Sequence, residues 1–285
     1  MGSNGISGVY HCTLRNKAAN HPDPHLETQM PTAPKTENAL AKVPEITLIF
    51  WIIKIAATTL GETGGDTVSM TMNLGYLAAT GIFAALLVLF VIWQMAAKKF
   101  HPFLYWATII ASTTAGTTMA DFADRSLGIG YPGGALLLLA CVAGALAAWH
   151  FALGTISVRS VRTPRAEFFY WLTITFSQTL GTALGDWAAD TGGLGFGGGA
   201  LVFGAALLVV VAAYYWARVS HVLLFWVAFI LTRPLGATLG DLFDKPVAEG
   251  GLAFSRPLAS AVLAGFILIC LLVLPQRAAE SETTH

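Results

Sequence analysis

From Pro44 to Pro275 the chain alternates long apolar runs with short polar joints. The runs cover 45–65, 75–97, 103–121, 134–156, 167–186, 199–217, 220–241 and 257–274. Most reach the ~20 residues an α-helix needs to cross a bilayer. Lipid offers no partner for backbone N–H and C=O groups, so each segment must satisfy its own, which predicts helices. A membrane barrel would need period-two alternation, and Leu136-Leu137-Leu138-Leu139 and Leu207-Leu208-Val209-Val210-Val211 lack it. Composition excludes a large soluble domain: 55% of residues are hydrophobic and 11% charged, against about 25% charged in soluble domains. The expectation is an all-α integral membrane protein with eight transmembrane helices over 44–275.

The flanks differ. Residues 1–43 are polar, rich in Pro, Asn and Thr, and without apolar periodicity, so a disordered tail is expected there. It contains no apolar h-region of the kind a signal peptide needs. Met30 is a candidate start, since the apolar body begins about fifteen residues later. His21, Asp23 and His25 form a weak metal-binding set, but flexible ligands are costly to order, and a solvated linker is expected. Residues 276–285 form a second short tail. Lys98, Lys99, Arg159, Arg162, Arg165 and Arg218 follow even-numbered runs, while acids dominate the joints after odd ones. The positive-inside rule then places the even joints and both termini in the cytoplasm, and the bacterial inner membrane is the expected location. Sixteen basic and sixteen acidic residues leave no excess positive charge for nucleic acid. Cys12, Cys141 and Cys270 imply neither a disulfide framework nor a zinc knuckle.

An internal repeat organises the apolar body. Trp51, Trp106, Trp171 and Trp226 each open an odd-numbered run. Ten residues on stand Gly61, Gly116, Gly181 and Gly236; four further, Gly65, Ala120, Gly185 and Gly240; and directly after these, Asp66, Asp121, Asp186 and Asp241. The unit W-x9-G-x3-[GA]-D thus occurs four times, in repeats of about 44–97, 102–156, 165–217 and 220–275. An aromatic follows the aspartate at ten residues in Tyr76, Tyr131 and Phe196, while Phe254 is displaced by an insertion near Lys245–Gly250. Tryptophan spacings of 55, 65 and 55 make the second half a copy of the first at an offset of 120. A two-helix hairpin duplicated twice explains this. Each unit has an even number of spans, so the copies are parallel and their axis is expected along the membrane normal.

The pieces have physical reasons. Tryptophan favours the membrane interface. The paired small residues of each glycine motif let helix backbones approach closely. The aspartate beyond them comes at the outer end of each odd helix, and if those helices ring one axis the four carboxylates converge. Asp124 and Asp244 lie three residues beyond their motif aspartates and Asp190 four, offsets that share a helix face. Glu62 supplies a further acid in the first copy. Including Glu249, the outer joints hold nine acids against Arg125, Lys245 and Arg256, an excess that draws cations. Clustered oxygens suit hard cations such as Ca²⁺, Mg²⁺ or Mn²⁺, and a bound divalent cation is the one cofactor these residues bring into view. The competing reading places the aspartates at headgroup level, solvated, capping joints or pairing with Arg125 and Lys245.

Two basic residues lie deeper: Lys54, three after its tryptophan, and Arg233, seven after. Thr58, Thr113 and Gln178 occupy the position of Arg233 in the other copies, so a polar stripe runs inward from the acids beneath the glycines. Lys54 and Arg233 are expected to face the bundle interior as gating or counter-charge residues. Gly192-Gly193 with Gly195 and Gly197-Gly198-Gly199 lacks the Lys-Ser/Thr ending of a phosphate loop and is expected to be a turn. No nucleophile–base arrangement, CxxC or HExxH occurs, so an enzyme is not expected.

Lys42-Val43-Pro44-Glu45-Ile46-Thr47-Leu48-Ile49-Phe50-Trp51-Ile52-Ile53-Lys54, followed by Thr59-Leu60-Gly61-Glu62-Thr63-Gly64-Gly65-Asp66, resembles a widespread bacterial family of multi-pass "membrane-anchored" proteins. The resemblance covers roughly 42–275, includes the repeated glycine–aspartate unit, and implies topology without an assigned activity. Glu62 to Thr67 also resembles the E-x-G-D-[KR]-[TS] motif of calcium/manganese–proton exchangers, with one extra residue and no base after the aspartate.

The functional expectation is a transporter or channel for a cation, divalent metal first. Asp66, Asp121, Asp186 and Asp241 would form the site, with Glu62, Asp124, Asp190 and Asp244 as further ligands. The alternative is a non-transporting membrane scaffold or partner subunit, in which Gly61, Gly65, Gly116, Ala120, Gly181, Gly185, Gly236 and Gly240 serve helix packing. The expected partners are the lipid bilayer and a small cation; assembly as a homo-oligomer is compatible with either reading.

Overall fold

A computed structural model describes residues 41–279. The expectations for His21, Asp23, His25, Met30, Cys12 and the rest of 1–40, and for 280–285, lie outside the described residues. Eight α-helices account for the apolar runs: α1 (Leu48–Asp66), α2 (Gly75–Ala96), α3 (Pro102–Asp121), α4 (Tyr131–Leu153), α5 (Pro164–Asp186), α6 (Gly195–Trp216), α7 (His221–Asp244) and α8 (Arg256–Val273). Their starts follow local rules. The Thr47 and Thr163 hydroxyls accept from the N–H groups of Phe50 and Ala166, and α3, α4, α5 and α8 carry proline in the first turn, where a missing N–H costs nothing. Beyond the aspartate, α1, α3 and α5 loosen into π-helical turns (Thr67–Thr71, Phe122–Ser126 and Trp187–Thr191). The fourth copy differs: α7 continues to Asp244 and a 3₁₀ turn, Val247–Glu249, takes up the insertion. In the glycine-rich joint, Gly193 and Gly195 take positive φ angles, and Gly197–Gly199 already belong to α6.

Five helices, α2, α4, α6, α7 and α8, are long and apolar enough to cross a membrane. The odd helices are more polar because they are enclosed. α1, α3, α5 and α7 pack in sequence and α7 returns to α1, closing a four-helix ring, while the even helices lie outside it. Each outer helix packs mainly on the inner helix of the following repeat: α2 on α3, α4 on α5, α6 on α7, and α8 back on α1. The expected hairpin is therefore a sequence unit but not a packing unit. No repeat can bury its inner helix alone, and the four interlock around the ring.

The glycine motifs set the register of that ring. A Cβ on Gly61 would collide with Thr113, one on Gly181 with Arg233, and one on Gly236 with Thr58; on Gly116 it would lie 2.9 Å from the Gln178 backbone. Each glycine therefore receives the polar-stripe residue of the next inner helix, and the fourth repeat hands on to the first. One turn later, Gly65 faces Thr117, Gly185 faces Ala237 and Gly240 faces Glu62. Hydroxyls inside the ring bond to their own helix carbonyls, as Thr108 does to Leu104, Thr114 to Ile110 and Thr238 to Pro234, so threonine is accommodated away from water.

Three of the four motif tryptophans are packed inside the bundle, and Trp51 is half-buried. Trp106, Trp171 and Trp226 are buried, and with Phe50, Tyr105, Trp149, Tyr170 and Phe225 they form an aromatic layer across one end of the ring. The Tyr105 and Tyr170 hydroxyls meet at 2.6 Å between α3 and α5. Residues 41–45 and 276–279 pack against this layer. Ala41, Val43 and Glu45 pair with Arg277 and Ala279 in a short antiparallel ladder, and Lys42 reaches the buried Glu167 at 2.7 Å. Residues 41–43, assigned from sequence to the polar tail, are thus seated on the helices.

Candidate functional site

The ring encloses a polar column with three levels above the aromatic layer. Lowest is Lys54, wholly buried on α1. Its ammonium sits 4.1 Å from the centre of the Phe229 ring and donates to the Thr232 hydroxyl at 3.4 Å. Lys54 therefore faces the interior, as the repeat register predicts, with a cation–π contact instead of a carboxylate.

At the middle level Arg233 of α7 reaches all three other inner helices. Its Nη2 lies 2.9 Å from Glu62 Oε2 on α1, 2.6 Å from Thr117 Oγ1 on α3 and 2.5 Å from Thr182 Oγ1 on α5. The equivalent residue on α7 itself is Ala237, so the long side chain fills the place its own helix leaves small. Pro234 follows immediately and removes one backbone donor from α7 at this level. Glu62 lies one turn below the motif aspartates and pairs with Arg233.

The third level holds the motif aspartates. Asp66, Asp121, Asp186 and Asp241 are 1, 2, 3 and 3% exposed, which removes them from the class of solvated caps. Two basic residues brace them in pairs. Lys245 lies 2.6 Å from Asp66 and 3.0 Å from Asp241. Arg125 lies 3.0 Å from Asp121 and 3.8 Å from Asp186. Each base stands four residues after its own aspartate and bridges to the next repeat; the two are 120 residues apart, the offset of the duplicated halves. The competing sequence reading paired the aspartates with these two bases, and the pairs are present; the offset the two bases share was visible as well. Burial works against the charged form of Lys245, but Asp241, Asp66 and Asp244 outweigh it and hold its pKa above the ordinary range. Arg125 is held up in the same way against burial by Asp121 and Asp186.

The remaining acids divide. Asp244 is buried and joins Asp66 and Asp241, each offering a carboxylate oxygen within 4.8 Å of the others. Arg256 approaches this group, 3.3 Å from Asp244 and 3.8 Å from Asp66. Asp124 is half-buried beside Gly134. Asp190 is exposed and accepts from the Tyr131 hydroxyl at 3.3 Å, so it stands apart from the proposed ligands. Asp190 is four residues from its motif aspartate, where Asp124 and Asp244 are three.

A closed ring of four repeated inner helices, sheathed by apolar helices and carrying a buried ionic column, defines a helical membrane-type repeat protein. The chain belongs to the family described as Repeat of Unknown Function (DUF347), whose pattern matches four times, at 49–100, 104–155, 169–220 and 224–276. Those matches follow the four units read from the tryptophan, glycine and aspartate spacing. No curated protein and no solved structure matches the chain.

Proposed function

We propose that the protein is a membrane transporter for a cation, with a divalent metal as the first substrate class. All eight helices would span the bilayer of the bacterial inner membrane, with the aromatic end and both termini in the cytoplasm. The observation that carries this reading is the charge balance at the aspartate level. Five buried carboxylates, Asp66, Asp121, Asp186, Asp241 and Asp244, face three bases, Arg125, Lys245 and Arg256. With all five ionised, an excess of two negative charges would match one divalent ion, and Asp66, Asp241 and Asp244 offer three oxygens close enough to share it. Lys245 would yield its place, its flexible stem letting the ammonium swing outward. Below, the Arg233–Glu62 pair closes the axis, which favours a carrier whose centre parts during transport over an open channel.

The test is Mn²⁺ flux into proteoliposomes. Asp186→Asn and Asp241→Asn should each lower the rate roughly tenfold or more, the effect of removing ~1.4 kcal/mol of ion binding. Asp190→Asn, outside the cluster, should leave it unchanged. Unaltered flux in both of the first two variants would remove the aspartates from the mechanism. One observation favours the second reading, a scaffold: Arg125 and Lys245 already tie neighbouring repeats together. In that case the asparagine variants would lose assembly while no flux is found in the wild type.

A further inference from the structure

The column carries a second imbalance, of opposite sign, below the aspartates. Between the aromatic layer and the aspartate level the enclosed charged groups are Lys54, Arg233 and Glu62, two cations against one carboxylate, all buried. Glu62 is taken by Arg233, and among the described residues Lys54 has the Phe229 ring and one long hydroxyl contact. An ammonium held away from water needs more than this. One turn above it, at the polar-stripe level, polar groups stand without protein partners among the described residues. Gln178, fully buried on α5, leaves both its amide oxygen and its amide nitrogen unpaired. So do the Thr113 hydroxyl on α3 and the Nε and Nη1 groups of Arg233 on α7. These residues occupy one position of the repeat, seven after the tryptophan, and the glycine contacts hold them at a common level of the ring. Buried donors left unpaired are rare, because each costs its full desolvation.

We infer that this level binds a small univalent anion, held by the Lys54 ammonium, the free edge of the Arg233 guanidinium, the Gln178 amide and the Thr113 hydroxyl. The ligand brings the enclosed charge to zero and satisfies four donors at once. Charge-assisted hydrogen bonds from lysine and arginine would dominate its binding. The site is separate from the aspartate cluster, and its existence does not depend on cation transport. A halide and a small carboxylate such as formate share the required chemistry.

The experiment uses the full-length protein in nanodiscs prepared in sodium gluconate, an anion much larger than chloride or formate. Gluconate is replaced stepwise by chloride, or in a second series by formate, at constant ionic strength. The readouts are thermal midpoint and tryptophan fluorescence, since Trp226 packs on Phe229 under Lys54 with ring centres 5.8 Å apart. A saturable change with chloride or formate is expected in the wild type, and the series that saturates identifies the ligand. Gln178→Leu should raise the half-saturating concentration about tenfold, equivalent to ~1.4 kcal/mol, and Lys54→Met should abolish saturation. Lys98→Gln, exposed in a joint, should behave as wild type. Superimposable responses to gluconate and to both small anions would overturn the inference. So would unchanged half-saturation in Lys54→Met and Gln178→Leu. No flux is measured, so failure here is distinct from failure of the transport reading.

Discussion

Arg233→Met is expected to destabilise the protein by about 3–5 kcal/mol, the cost of leaving one member of a buried ion pair without its partner. Arg233 is wholly buried and joins α7 to the other three inner helices through Glu62, Thr117 and Thr182. Its loss leaves the Glu62 carboxylate, 2% exposed, with only the Thr117 hydroxyl at 3.3 Å. The double variant Arg233→Met with Glu62→Met should recover most of that stability, because apolar replacement of a whole buried pair is often neutral or better. A double-mutant cycle on reversible unfolding in mixed micelles reads the coupling directly. Additive effects of the two substitutions would show that the pair does not hold the ring.

Gly236→Ala and Gly181→Ala should each cost about 1–3 kcal/mol through overpacking. The added methyl on Gly236 meets both the side chain and the backbone of Thr58, at the seam where the fourth repeat closes on the first. On Gly181 it meets Arg233 and lies 3.0 Å from the Pro234 ring. Gly64 provides the contrast. It lies in the same helix as Gly61 but has nothing within 4 Å of a new Cβ, so Gly64→Ala should be neutral or stabilising by up to ~1 kcal/mol, the helix preference of alanine over glycine. Thermal midpoints of the three variants test this. Equal loss in all three would mean that glycine at 181 and 236 serves the helix backbone and not the approach of its neighbour.

Helix number and approximate extent were legible because each apolar run is long and ends at turn residues; the runs from 103 and 220 begin within one residue of α3 and α7, while α5 starts at Pro164, three residues before its run. The fourfold unit was legible because tryptophan, glycine and aspartate recur at fixed spacing. The polar stripe of Thr58, Thr113, Gln178 and Arg233 was also readable, since helical geometry alone puts it beneath the glycines. Other features depend on which helix neighbours which, and periodicity carries no record of that. The sheathing of α3 by α2 and of α1 by α8 is one example. Glu62 is another: in sequence it stands beside the outer acids, but only Arg233, 171 residues away, draws it into the axis. The burial of Trp106, Trp171 and Trp226 was not legible, because an interfacial ring and a ring plugging a bundle end share the same position along a helix.

The central claim is that the buried carboxylates form a binding site for a divalent cation inside the ring. Electron paramagnetic resonance of Mn²⁺ titrated into the purified protein tests it most directly. The account predicts saturable binding of one ion, weakened roughly tenfold or more by Asp66→Asn or Asp244→Asn and unaffected by Asp190→Asn. Absence of saturable binding, or equal weakening by Asp190→Asn, would contradict it.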